Sequence, residues 1–421
     1  MSILRASVWN SAVVAVRLAS ALALNKILAL LVGPAGYAVI GQFQNALSMI
    51  TSFSSGALQS GIVKYTATYG DDEKRQARLT ATATGLVSGL SLAAAVMLVI
   101  LYRPLGQLFF KSQAYAPAFL FLAGSLVFVN LNGLVLSVLN GRKDFRGYAI
   151  SSIAANVASL VLTGVLTWRF GLAGSLVGLS VGPALALAFS LWQAWRQPWF
   201  RMTAYVGALD ALELKQLGKF ALMGLTTAIT TPLSQLLIRS HLVARFGLES
   251  AGLWDALSKM SVLFLGLFTT TMSLYYLPRI AEIRGWSELK REIARIYLLV
   301  LPPMAATALF IYLLRSLVVQ LLFSHRFEGM EVLFKWQLAG DLFKAASWIV
   351  AFLMIGKKLT RLYIVTEIAF TGLLYVLTVL ATQAFGFQGV SIAYLATYIL
   401  YGLTLYVLIL STPGRRAALF A

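Results

Sequence analysis

Ten charged side chains stand inside long apolar stretches of this 421-residue chain: Arg17, Lys26, Lys64, Arg239, Lys259, Lys335 and Lys344, with Asp255, Asp341 and Glu367. A charge at the centre of a bilayer costs about 3 kcal/mol on insertion scales, so ten facing lipid would cost on the order of 30 kcal/mol. These groups must therefore mostly face protein or water, and their signs say what chemistry they can do. Seven cations against three carboxylates leave a positive excess that pairing within the membrane cannot cancel. An anion is the fitting partner.

Spacing sorts the ten. Asp255 and Lys259 stand at i,i+4, and Asp341 and Lys344 at i,i+3 within "QLAGDLFKAASWIV", each pair one helical turn apart. Two readings are open for each pair: a local salt bridge that eases insertion, or the counter-ion and cation of an anion site. Glu367 has no basic neighbour within a turn on its apolar side, and Lys64, Lys344 or Arg17 could reach it from another helix. It is the leading single candidate for proton or counter-ion coupling. Arg17 and Lys26 lie about 180° apart around an ideal helix, so both face one cavity only if that helix bends. Lys64 and Lys335 stand near span ends, where snorkelling to the interface competes with a binding role. His241, two residues after Arg239 near a span end, reads as a polar interface group.

Other chemistries are excluded by residue type. The chain has no cysteine and only two histidines, 241 and 325, so thiol catalysis is impossible and a catalytic zinc site improbable. No phosphate-cradling Walker loop, no HExxH helix and no paired carboxylates in a soluble domain are present. The expectation is a transporter, not an enzyme, with no cofactor and no metal, working by facilitated or ion-driven movement.

The elements that must position these charges are membrane helices. Hydrophobic residues make up 59% of the chain and charged residues 12%, with a mean hydropathy of +0.81. Apolar runs of the length that crosses a hydrocarbon core of about 30 Å recur throughout, without the alternation of strands. Twelve spans are expected, near 5–32, 36–69, 78–102, 114–140, 146–169, 172–194, 214–245, 250–280, 290–314, 330–355, 359–383 and 388–411. The first is too long and too interrupted for a signal peptide and is expected to be kept. Lys and Arg concentrate in alternate connections, around Arg75, Arg142, Arg196, Lys290 and Lys357, whereas Arg103, Lys111, Arg169, Arg245, Arg315 and Arg326 fall opposite. The positive-inside rule then puts both termini in the cytoplasm. The net charge of +19 is mostly a topology signal and needs no nucleic acid. Trp192, Trp195 and Trp199 stand where the sixth span should leave the membrane, as an aromatic belt would.

The chain also repeats itself. "GRKDFR" (Gly141–Arg146) and "GKKLTR" (Gly356–Arg361) are 215 residues apart, as are "FGLAG" (Phe170–Gly174) and "FGFQG" (Phe385–Gly389), while Gly36 and Gly252 are 216 apart. Halves of six spans each have the same orientation and are related by an axis along the membrane normal. The expected organisation is a lobe over 1–194, a cytoplasmic linker over 195–213 and a second lobe over 214–421. Pro232 and Pro278 mark places where spans can bend, as gate elements.

Four stretches carry a family resemblance that covers nearly the whole chain: "NKILALLVGPAGYA" (Asn25–Ala38), "GIVKYTATY" (Gly61–Tyr69), "YYLPRI" (Tyr275–Ile280) and "FKWQLAGDLFK" (Phe334–Lys344). They resemble the Wzx-type flippases of the multidrug/oligosaccharidyl-lipid/polysaccharide exporter superfamily. The resemblance implies an all-α polytopic fold with two pseudo-symmetric lobes, in the bacterial inner membrane. It implies a substrate too, an undecaprenyl-diphosphate-linked oligosaccharide of the lipid III or O-antigen kind, moved from the cytoplasmic to the periplasmic leaflet by alternating access. Lys26, before "GPAG", and Asp341 with Lys344, in "GDLFK", fall on the matching motifs; Asp255 falls on none.

On this footing Arg17, Lys26, Arg239, Lys259 and Lys344 are expected to hold the diphosphate. Asp341, Asp255 and Glu367 are expected to hold those cations in the empty cavity or to couple protons, with Lys64, Lys335 and His241 secondary. The expected partners are the lipid-linked substrate, membrane lipids, and polysaccharide polymerase or chain-length proteins. Rival readings are a multidrug or organic-cation exporter, whose site should be acidic and aromatic, a lipid II flippase, whose family usually has two further helices, and a membrane scaffold, which needs no buried charges.

Overall fold

The computed structural model describes residues 3–70, 72–272, 276, 279–280, 283, 285–357 and 359–411. The side chains of 3–8, 10–11, 219–228, 267, 270–271, 355–356, 360 and 410–411 fall outside that description, and Pro278 lies outside the described residues altogether. All regular structure among the described residues is helical: α1 Ile3–Ser54, α2 Gln59–Tyr69, α3 Glu73–Phe110, α4 Ala118–Gly141, α5 Phe145–Trp195, α6 Ala211–Thr271, α7 Trp286–Leu313, α8 Arg315–Leu322, α9 Glu331–Gly356, α10 Thr360–Phe385 and α11 Gly389–Leu405.

Three of the fifteen acidic residues cap helix starts. Asp72 accepts from the Arg75 amide (3.1 Å), Asp144 from the Gly147 amide (2.9 Å) and Asp210 from the Leu212 and Glu213 amides. Each satisfies donors that a helix N-terminus leaves without an intrahelical partner. Between the caps the helices present large apolar side chains outward, among them Met97 and Ile100 on α3 and Leu298 and Phe310 on α7. In water such exposure would be costly; against acyl chains it is expected.

Three of the long helices are hairpins in disguise. Gly33 in α1, Gly171 in α5 and Gly247 in α6 have φ of 66°, 57° and 84°, a region open to glycine at little cost. The chain reverses at each. Tyr37 donates to Asn25 Oδ1 at 2.8 Å although the two are 12 residues apart, a distance of about 18 Å along a straight helix. Thr167 and Ser175 meet at 3.0 Å across Gly171, and Arg239 meets Asp255, 16 residues on, across Gly247. A fourth reversal lies at Gly386 (φ 61°), between α10 and α11.

The repeat seen in the sequence has its physical reason here. A Cβ on Gly174 would strike the Leu166 carbonyl, and one on Gly389 would strike the Ala381 carbonyl, each eight residues back across its turn. These two glycines permit the same tight return in two places 215 residues apart. Gly33 and Gly247 form a second matched pair, 214 apart.

Seven helical stretches among the described residues are long and apolar enough to cross a membrane. Three of the seven run 43, 51 and 49 residues, far more than the roughly 20 that one crossing needs, because each contains a glycine reversal.

By contacts the chain divides into two compact units at Pro232 and Leu233, inside α6. In unit 1, α3, α4 and α5 pack in succession and α1 lies on α5. In unit 2, α9 and α10 pack on α11, and α7 lies on α9. The 195–213 segment is fastened to unit 1: Thr80 donates to the Ala204 carbonyl (2.7 Å), the Asp210 amide donates to Thr82 (3.0 Å), and Arg201 pairs with Glu73 (3.6 Å). Leu217, just beyond it, is buried with Leu58, Ile62, Leu79 and Leu134.

Candidate functional site

Unit 2 gathers six of the ten membrane charges into its interior. Arg239, on the first limb of α6, is 3% exposed and pairs with Asp255 on the second limb, 2% exposed. Nε donates to Oδ2 at 2.6 Å and Nη2 donates to Oδ1, a two-point contact that suits the planar guanidinium. The Arg239 guanidinium also lies 5.7 Å from the Trp254 ring centre. Lys259 follows Asp255 by one turn, and its charge is felt by both members of the pair. The pair thus belongs to the Gly247 hairpin and joins its two limbs.

A second cluster centres on α9. Asp341 is 0% exposed, and its carboxylate accepts from the Ser261 hydroxyl and the Tyr394 hydroxyl, both at 2.8 Å. The Gln337 amide donates to Ser261 Oγ at 3.0 Å, and Ser391 donates to Gln337 Oε1 at 3.2 Å. Three elements, α6, α9 and α11, therefore meet in one hydrogen-bonded chain. Gly340 makes this possible, because a Cβ there would run into the Tyr394 ring.

Lys344 is not hydrogen-bonded to Asp341. Its ammonium lies 4.9, 5.3 and 4.7 Å from the ring centres of Trp348, Tyr394 and Tyr398. Aromatic faces attract a cation without neutralising it. Asp341 and, from α10, Glu367 act on Lys344 through their charge. Lys344 lines a cavity of ≈ 50 Å³ whose wall includes Gln235, Trp254, Ser258, Ser261 and Tyr394. The cavity wall thus combines a held cation with neutral hydrogen-bonding groups, a surface that can receive an anion and its attached hydroxyls.

The remaining candidates stand elsewhere. His241 Nε2 contacts the Thr382 hydroxyl at 2.8 Å, bonding α6 to α10. Lys335 is exposed and lies over the Trp336 ring at 4.8 Å. In unit 1, Arg17 is exposed on α1, Lys26 is half-buried one residue after Asn25, and Lys64 is exposed on α2, 5.7 Å from the Tyr65 ring. Pro232 lies within α6, where the two units divide.

The hydroxyl partners of Asp341, the Gln337 amide that holds one of them, and the aromatic cage of Lys344 escaped the sequence reading. One signal was present: Tyr394, Tyr398 and Tyr401 recur at helical spacing in α11 and share a face. Nothing local points from Asp341 to Ser261, 80 residues before it.

Comparison with known proteins agrees with this architecture. Residues 5–284 match the model of a family described as polysaccharide biosynthesis protein. Among curated proteins, lipid III flippases of Escherichia coli (strain K12) and Shigella flexneri are each 30% identical over 402 residues, covering 95% of this chain and 96% of theirs. Among solved structures, the inward closed conformation of the lipid II flippase MurJ superposes with a TM-score of 0.75 at 16% identity, over 98% of this chain and 88% of that one. An inward-facing multidrug-resistance MATE transporter of the MOP superfamily gives 0.71 at 14% identity, over 96% and 94%. The fold is accordingly that of an all-helical MATE- and MurJ-like membrane protein, and the chain belongs to the polysaccharide biosynthesis protein family of membrane transporters.

Proposed function

We propose that this protein is a flippase that carries a lipid-linked oligosaccharide across the bacterial inner membrane, with a diphosphate linking the sugar to a polyprenyl chain. The observation that carries this reading is the 30% identity to lipid III flippases along 95% of the chain. The unit 2 interior is the right kind of surface for it: a cation held by aromatic faces on a cavity with neutral hydrogen-bonding walls. The carried molecule is of the lipid III or O-antigen class.

The twelve-span reading takes Gly33, Gly171, Gly247 and Gly386 as the returns between paired spans, with both termini cytoplasmic. Two lobes, 1–194 and 214–421, would move about the 195–213 linker, which travels with the first lobe through its contacts to α3. In this scheme Arg17, Lys26, Arg239, Lys259 and Lys344 serve the diphosphate. Asp255 holds Arg239 until the substrate competes for it, and Asp341 and Glu367 balance Lys344. A ligand shifts such an equilibrium only by its differential affinity for the two states, and exchange of a carboxylate for a diphosphate supplies that difference. Polymerase or chain-length proteins are proposed neighbours that receive the product.

The test is translocation of a labelled polyprenyl-diphosphate oligosaccharide across liposomes containing the purified protein, with efflux of a cationic drug run alongside. Transport that falls when Lys26 or Lys344 is neutralised supports the proposal. Drug efflux without lipid movement overturns it.

A further inference from the structure

The "GRKDFR" motif is not used by the unit 2 site, and its first basic residue leads to a second pocket. In unit 1, Arg142 sits at the end of α4, with Nη1 donating to the Gly70 carbonyl at 3.4 Å and its guanidinium 5.2 Å from the Trp199 ring centre. The matched residue of the other unit, Lys357, likewise donates to a backbone carbonyl, that of Ile283. Only Arg142 is also roofed by the 195–213 segment. Gln76, Arg142, Trp199, Arg201 and Tyr205 line a pocket of ≈ 200 Å³ beneath that roof.

Three polar atoms of this lining are buried without a hydrogen-bond partner: Arg142 Nε, the Tyr205 hydroxyl and Gln76 Oε1. Buried polar groups are nearly always satisfied, so three around one pocket call for a ligand that satisfies them. Two are donors and one is an acceptor. Burial pushes the Tyr205 hydroxyl far above its ordinary range, which keeps it a proton donor at any physiological pH. Arg201 adds positive charge, balanced by Glu73 at 3.6 Å, so Arg142 leaves the pocket with a positive balance. The complement is an anion that also bears a hydroxyl: phosphate oxygens for Arg142 and Tyr205, and a hydroxyl donor for Gln76.

The roof segment says where such an anion comes from. It turns Tyr205 inward and leaves Met202, Val206, Leu209 and Leu212 exposed, with Val206 at 83%. Trp192 and Trp195 are exposed beside it, and Arg196 stacks 3.8 Å from the Trp192 ring centre. Exposed tryptophan, arginine and a row of apolar side chains are the marks of a segment lying in the headgroup layer.

We propose that this pocket binds the glycerol-phosphate head group of an anionic phospholipid, with the acyl chains lying along Met202, Val206, Leu209 and Leu212. The site is separate from the unit 2 cavity and does not depend on what the protein transports.

The experiment is native mass spectrometry of the purified full chain titrated with phosphatidylglycerol, phosphatidylcholine or inorganic phosphate, each alone. Phosphatidylglycerol is expected to be retained best. Loss of a charge-assisted hydrogen bond should weaken it about tenfold in Arg142→Gln, and loss of a neutral one about threefold in Tyr205→Phe. The exposed neighbour substitution Lys143→Gln should leave retention unchanged. Tyr205→Phe removes only an oxygen, so it remains informative if Arg142→Gln fails to fold. Equal retention of phosphatidylglycerol by Tyr205→Phe and the unmodified protein overturns the proposal. Equal retention of phosphatidylcholine overturns the head-group assignment, and saturation by inorganic phosphate alone overturns the lipid assignment.

Discussion

The two units share a backbone plan and differ in what they bury. Eight residues before its turn glycine, the first hairpin of unit 1 places Asn25, which takes a hydrogen bond from Tyr37; eight residues before Gly247, unit 2 places Arg239, which forms an ion pair with Asp255. At the 215-residue offset Asp341 corresponds to Leu126, Lys344 to Val129 and Tyr394 to Leu179. Leu126 is fully buried, and nearby Asn130 donates to Ser54 and Ser91 at 2.7 and 2.8 Å. At these positions the fold therefore stands with neutral residues. The charges of unit 2 are not a requirement of the architecture, and buried ion pairs are in general weak contributors to stability.

Five experiments would break or sharpen this contrast. The largest effect is expected from Lys344→Glu, which sets a third acid beside Asp341 and Glu367: lipid-linked oligosaccharide transport in liposomes should be abolished while folded protein is still recovered. Normal transport would remove Lys344 from the site. Next, Arg239→Ala strands Asp255 in the interior and should destabilise the protein by about 3–5 kcal/mol, whereas Arg239→Leu with Asp255→Leu should recover most of that loss. Thermal unfolding of the purified chain reads both, and equal destabilisation by the single and double changes would mean that the pair is structural.

Tyr394→Phe removes one of the two hydroxyl donors to Asp341, at an expected cost of about 1.5–3 kcal/mol. The converse change in unit 1, Leu179→Tyr, has no carboxylate to meet and should bring no gain in the same assay. Gly174→Ala and Gly389→Ala each push a methyl into a backbone carbonyl and should cost about 1–3 kcal/mol, in similar amounts. A large difference between them would mean that the two returns are not equivalent.

The smallest effect concerns Glu213, buried at the edge of unit 1, where the Tyr69 hydroxyl donates to it at 2.9 Å. Burial raises its carboxyl above the usual range, and the Tyr69 hydrogen bond only partly opposes this. A raised carboxyl favours the protonated folded state, so its stabilisation is present at acid pH and is lost as pH rises through the folded value. Glu213→Gln should flatten that part of the stability profile, measured as unfolding temperature against pH.

Much of this was readable from the chain. The apolar runs announce membrane helices, and "FGLAG" and "FGFQG" mark two returns whose second glycines have the same steric reason. Asp341 and Lys344 stand out because charge is costly where they are. Their partners did not, since Ser261, Gln337 and Tyr394 are ordinary residues for a membrane helix and acquire a role only when three helices meet. The i,i+3 spacing permits an Asp341–Lys344 bond, but Asp341 is already occupied by two hydroxyls and Lys344 by three rings. Local periodicity reports which residues share a face, not which neighbour reaches them first.

The Gly247 turn has a consequence for biogenesis. A limb carrying Arg239 or Asp255 alone would enter the bilayer with an unpaired charge, at about 3 kcal/mol on the insertion scale. Because the turn lies between them, both limbs can leave the translocon as one hairpin with the two charges already joined. The ribosome need deliver only 16 further residues before the arginine has its partner. The ion pair at the heart of unit 2 can thus be laid down as a locally neutral unit, during synthesis, before the rest of its helices exist.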